Sequence, residues 1–207
     1  MKPLPALISA ITAVTMVGLA ATALAFPPAG TPSIVNPGLL NGTGVDSMAI
    51  YVFSDAGNTS TLSLTGFGGN PIFQNNGPFV AGDIVDLGVL VGPQQFGLHN
   101  NSTGTSFLAD VADGAGAFHA LYTANYADFG VGALPAGAAA AIAGLPVGAS
   151  VVFVGWEDLT AGQASDFDYN DLIFAFTNLT SQAVPEPTAL ALLGVALVGL
   201  GLVRRRR

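Results

Sequence analysis

The chain has 207 residues, 51% of them hydrophobic, with five basic residues against thirteen acidic ones. All five cations sit at the ends, as Lys2 and Arg204, Arg205, Arg206 and Arg207, so the stretch from Phe26 to Ala183 has twelve acids, no Lys, no Arg and a formal charge of −12. That sign excludes charge-driven binding of nucleic acid or anionic lipid. With no Cys in the chain, disulfide staples are excluded as well.

The first element in chain order is a leader. Lys2 supplies a short positive region, an apolar run extends from Leu4 to about Ala20, and Ala23-Leu24-Ala25 offers the small-x-small pattern that signal peptidase reads. Residues 1–25 are therefore predicted to be a signal peptide, with Ala23 and Ala25 as the recognised small residues and cleavage before Phe26.

Residues 26–183 have the length of one ordinary domain. Short runs rich in β-branched and aromatic residues at 48–53, 60–65, 84–91, 105–111, 117–123, 150–156 and 172–179 read as strands. Turn signals lie between them, among them Asn41-Gly42, Asp55-Ala56-Gly57-Asn58 and Asn75-Asn76-Gly77-Pro78. The spacing predicts an all-β fold, a single antiparallel β-sandwich of jelly-roll type. One stretch departs from it: residues 136–143 are Ala-rich and fit either a short helix or an ordered loop between Gly and Pro.

The densest chemistry follows. Trp156-Glu157-Asp158 ends one apolar run, and Asp166-Phe167-Asp168-Tyr169-Asn170-Asp171 precedes another. If the two runs pair as a hairpin, Glu157, Asp158, Asp166, Asp168, Asn170 and Asp171 converge at one corner. Crowded carboxylates repel, and without a counter-charge some must take up protons at neutral pH. A hard divalent cation answers that need, and Ca²⁺ accepts six to eight oxygen ligands in loose geometry. An EF-hand is rejected, because its sixth position holds Asp171 instead of Gly and its twelfth holds Thr177 instead of Glu. Successive strand residues face opposite ways, so Glu157 and Asp158 share a side only through a bulge. The competing structural reading has the same acids capping turns and accepting backbone N–H groups.

An aromatic-Glu-Asp ending to an apolar strand, a polar loop, and Asp-x-Asp-x-Asn-Asp before a second apolar strand resembles a domain of unknown function, family 4114, over Val151 to Phe176. The resemblance implies that the two acidic runs form one unit of a bacterial surface protein, and implies no particular reaction.

The carboxy terminus is punctuated by Val184-Pro185-Glu186-Pro187, which is hostile to helix. Sixteen uncharged residues from Thr188 to Val203 follow, and then the arginines. As a helix the apolar stretch would span about 24 Å, slightly less than a hydrocarbon core of about 30 Å. The terminal arginines would stay cytoplasmic and leave the body outside. Residues 184–207 resemble the PEP-CTERM sorting signal. That resemblance implies recognition of Pro185, Glu186 and Pro187 by an exosortase in the inner membrane of a Gram-negative bacterium. It further implies transient anchoring, tail removal, and delivery to the cell surface or a biofilm exopolysaccharide matrix.

The expected function is a non-enzymatic envelope or matrix protein stabilised by Ca²⁺ at the acidic corner. Two alternatives are an extracellular carbohydrate-binding module and a glycosidase using Glu157 with Asp166 or Asp168. The two histidines, His99 and His119, cannot close a zinc site without Cys. No G-x-S-x-G nucleophile elbow is present.

Overall fold

The computed structural model describes residues 26–65 and 71–181. The predicted signal peptide with Ala23 and Ala25, and the sorting tail with Pro185, Glu186, Pro187, its apolar segment and its arginines, lie outside the described residues.

In chain order the strands are β1 (Leu40–Ser54), β2 (Ser60–Leu64), β3 (Pro71–Gln74), β4 (Ile84–Gln94), β5 (Phe96–Asn100), β6 (Thr105–Leu108) and β7 (Ala120–Thr123). Helix α1 (Ala136–Ala143) precedes β8 (Val151–Trp156), β9 (Leu172–Thr177) and β10 (Leu179–Ser181). The fold is mostly β and its strand pairs are antiparallel. The smaller sheet runs β3-β2-β5-β6; the larger runs β10-β1-β9-β8-β7, with β4 also on β1.

β1 organises the larger sheet. Leu40 stands opposite both Gln94 and Ser181, and Ile50 stands opposite both Ile84 and Ala175. β4 therefore occupies one edge of β1, and β9 and β10 share the other in succession. Asn178, at φ 56°, makes the break between those two strands.

The sheets enclose one core and the larger sheet backs a second. Leu62, Phe73, Phe96, Leu98 and Phe107 of the smaller sheet meet Tyr51, Val154, Trp156, Phe174 and Phe176 of the larger. Phe73 stacks on Phe174 at 5.7 Å and 4°, with Tyr51 edge-on to both. Burying each such side chain contributes about 1.5–3 kcal/mol. On the far face of the larger sheet, Ile50, Val52, Phe153, Ile173 and Ala175 are covered by Tyr126, Phe129, Ala138, Phe167 and Tyr169. Being covered on both faces explains why β8 and β9 read as unbroken apolar runs instead of alternating ones.

Several expectations shift here. The run at 48–53 is only the second half of a 15-residue β1, and Asn41-Gly42 lies inside that strand instead of forming a turn. Register shifts between Thr43 and Asp46 absorb the Gly-rich stretch as a bulge. The segment 105–111 is a strand only to Leu108, 117–123 only from Ala120, and 172–179 only to Thr177. β3, β5 and β10 are strands beyond those expected. The Ala-rich segment is the helix, and it lies so close to the chain before β4 that a Cβ on Gly137 would stand 2.0 Å from the carbonyl oxygen of Ala81.

Candidate functional site

β8 and β9 pair in register from Val151↔Thr177 to Trp156↔Leu172. This brings the acid-bearing end of one strand to the acid-bearing start of the other. Gly155 is required one residue earlier: a Cβ there would lie 2.2 Å from both the Phe129 ring and the Tyr169 carbonyl oxygen. The missing side chain lets the acidic loop lie against the sheet.

Past Trp156 the side chains part. Glu157, fully buried, turns to the loop side: its Oε1 accepts the Tyr169 N–H at 2.5 Å and its Oε2 accepts the Ser165 hydroxyl. Asp158 turns to the smaller sheet, where its Oδ2 accepts the Ser60 hydroxyl at 2.9 Å and its carbonyl oxygen accepts the Asn100 amide at 2.8 Å.

The loop itself has an unusual backbone. Ala164, Phe167 and Tyr169 all have positive φ, at 66°, 49° and 60°, a conformation costing each non-glycine residue about 1–3 kcal/mol. Burial of Phe167 and Tyr169 in the second core offsets that strain. The Tyr169 hydroxyl adds two bonds, accepting the Ser33 N–H at 2.6 Å and donating to the Phe118 carbonyl oxygen at 2.9 Å. Gly30 donates its N–H to the Asp166 carbonyl oxygen at 2.7 Å, so residues 30–33 strap the loop from outside.

With the two aromatic rings turned inward, carboxylate oxygens of Glu157, Asp166 and Asp168 lie within 4.8 Å of one another. Glu157 is buried, Asp168 half-buried and Asp166 exposed, so the trio runs from the core to solvent. The other three expected residues make hydrogen bonds of their own, Asn170 to a member of the trio. Asp171 Oδ2 accepts the Asp158 N–H at 2.9 Å, and Asn170 donates its side-chain amide to Asp168 at 2.5 Å. Asp158 stays with Ser60.

The electrostatics follow from crowding without a counter-charge. Burial pushes the Glu157 carboxyl up to about 7; the donors Ser165 and Tyr169 oppose this, and the Asp166 and Asp168 charges reinforce it. Burial also raises Asp168, and it holds Asp171 well above the usual carboxylate range, with Glu157, Asp158 and Asp166 adding to the effect. An all-oxygen trio of this kind suits a hard cation such as Ca²⁺.

The residues that organise the loop were not legible as functional. Ser165 sits in the polar stretch before the acidic run, Tyr169 lies between Asp168 and Asn170, Ser60 lies 98 positions from its partner Asp158, and Gly155 sits inside an apolar run. Only the alternation of aromatic and acidic residues at 166–169 hinted that rings and carboxylates would separate.

Residues 183–207 match the family model described as the PEP-CTERM protein-sorting motif. The motif marks an exported protein that is anchored in the membrane, processed by an exosortase and delivered to the cell surface. No curated protein and no solved structure matches the chain.

Proposed function

We propose that the exported domain is a non-catalytic structural component of the cell surface or exopolysaccharide matrix, with Glu157, Asp166 and Asp168 holding a divalent cation, Ca²⁺ by ligand chemistry. The observation that carries this reading is the approach of those three carboxylates to within 4.8 Å in a body without a Lys or Arg. A bound cation would remove the repulsion among them and stabilise the strained loop, because binding to the folded state alone adds to folding free energy. The likeness of Val151–Phe176 to domain of unknown function family 4114 belongs to this reading, since it treats both acidic runs as one unit.

A glycosidase reading fits less well. Two working carboxyls need an open cleft between them, whereas Glu157 is fully buried with both oxygens engaged. Metal analysis of the folded domain together with a calcium-dependent melting curve tests the cation reading. Melting that rises with calcium, and falls in chelator for protein shown to be loaded, supports it; indifference to both rejects it.

A further inference from the structure

The valines left uncovered beside β1 point to a second surface, independent of the cation site. Val45 is 53% exposed, Val89 64%, Val91 73%, and Val147 fully exposed. Val45, Met48, Leu145 and Val147 line one shallow groove of about 270 Å³, with Asp46 and Asn178 in its wall. Val89 stands opposite Asp46 across the β1–β4 pair, and cross-strand partners share a face. Val89, and Val91 two positions on, therefore extend the groove into one apolar patch. Such a patch on an acidic surface marks an interaction site.

We propose that this patch rests on the surface of the bilayer in which the precursor is anchored, and that its occupant is zwitterionic phospholipid. The tether argues for it. β10 ends at Ser181, opposite Leu40, and six residues, 182–187, separate it from the apolar stretch that begins at Thr188. Six extended residues reach about 20 Å. From Leu40 to Val45 along β1 is about 17 Å, so the tether holds the patch within reach of the membrane. Tethering raises the effective concentration of lipid at the patch without any new contact. A second copy is disfavoured, because each body carries twelve acids and no Lys or Arg and the two repel. Asp46 in the groove and Asp86 on β4 likewise favour neutral over anionic lipid.

The full chain contains no Cys, so single-cysteine labelling in phosphatidylcholine nanodiscs tests the proposal. Variants Val89→Cys and Ser106→Cys, the latter an exposed position on β6 of the smaller sheet, carry a fluorophore, and the lipid carries an acyl-chain quencher. The label at 89 is expected to be quenched several-fold more than the label at 106. Equal quenching, or none at 89, overturns the proposal. Cross-linking of two chains through position 89 without quenching also overturns it and assigns the patch to self-association. In a Val89→Ser, Val91→Ser background that melts like the parent, a label at Val147→Cys should lose its preferential quenching; retention counts against the patch acting as a unit.

Discussion

Asp171 accepts the backbone N–H of Asp158 across the base of the acidic loop, at 2.9 Å. One carboxyl thus closes the hairpin, and burial beside Glu157, Asp158 and Asp166 makes a charge on it costly even though the N–H favours that charge. Replacing Asp171 with Asn keeps an acceptor and removes the charge; replacing it with Ala orphans the donor. Asp171→Ala is expected to lose about 1–3 kcal/mol, whereas Asp171→Asn should equal or exceed the parent at pH 8. Paired denaturant titrations check both; an Asn variant as unstable as Ala would mean the charge itself is needed.

Stability should depend on pH in a direction opposite to the usual acid denaturation. The folded Glu157 carboxyl titrates near 7 instead of its ordinary 4.5, and Asp171 is raised too. Between those limits the folded state binds more protons than the unfolded chain, so unfolding free energy falls as pH rises. Metal-free protein should melt higher at pH 5 than at pH 8. Saturating calcium should flatten or reverse the slope, because the cation requires deprotonated ligands. Melting curves at both pH values, with chelator and with calcium, provide the check.

Glu157→Gln separates the two effects. Gln can still accept the Tyr169 N–H, so the loop keeps its anchor while one negative charge is lost. Chelated Glu157→Gln should melt higher than the chelated parent at pH 8 and gain little on adding calcium. A calcium response equal to the parent's would remove Glu157 from the ligand set.

Gly155→Ala places a Cβ 2.2 Å from both the Phe129 ring and the Tyr169 carbonyl oxygen. A cost of about 3 kcal/mol is expected, the upper range for overpacking. Tyr169→Phe removes a hydroxyl that serves Ser33 and Phe118, for about 1–3 kcal/mol with a buried N–H left orphaned. Faster amide exchange at Ser33 in the Phe variant is the local signature, and unchanged exchange would show that the strap stands without Tyr169.

What the sequence revealed was governed by burial. β8 and β9 are covered on both faces, so their apolar runs are unbroken and their pairing could be foreseen from the acids at their ends. β1 hid its first half because Asn41, Gly42 and Gly44 mimic a turn; what makes Asn41 and Gly42 strand is pairing on both edges, with Gly44 in the bulge that follows, and no local signal carries that. β5 is masked by Gly97 and by His99-Asn100, although Asn100 is fully buried and holds Asp158. At the site, the clustering of carboxylates was legible in composition. The division of labour among them depends on side-chain direction after Trp156 and on three left-handed residues.

The position of β1 also bears on the order of folding. Its partners include β9 and β10, and Leu40 meets Ser181, so the longest strand of the sheet is completed by the last residues of the body to be made. Pairings this distant in sequence slow folding. An emerging chain can pair β1 with β4 and build the smaller sheet early, but it cannot close the larger sheet until its far end arrives. For an exported protein that delay is useful: the larger sheet is completed only after nearly the whole body has been synthesised, and the carboxy-terminal segment that follows Ser181 is the next to appear.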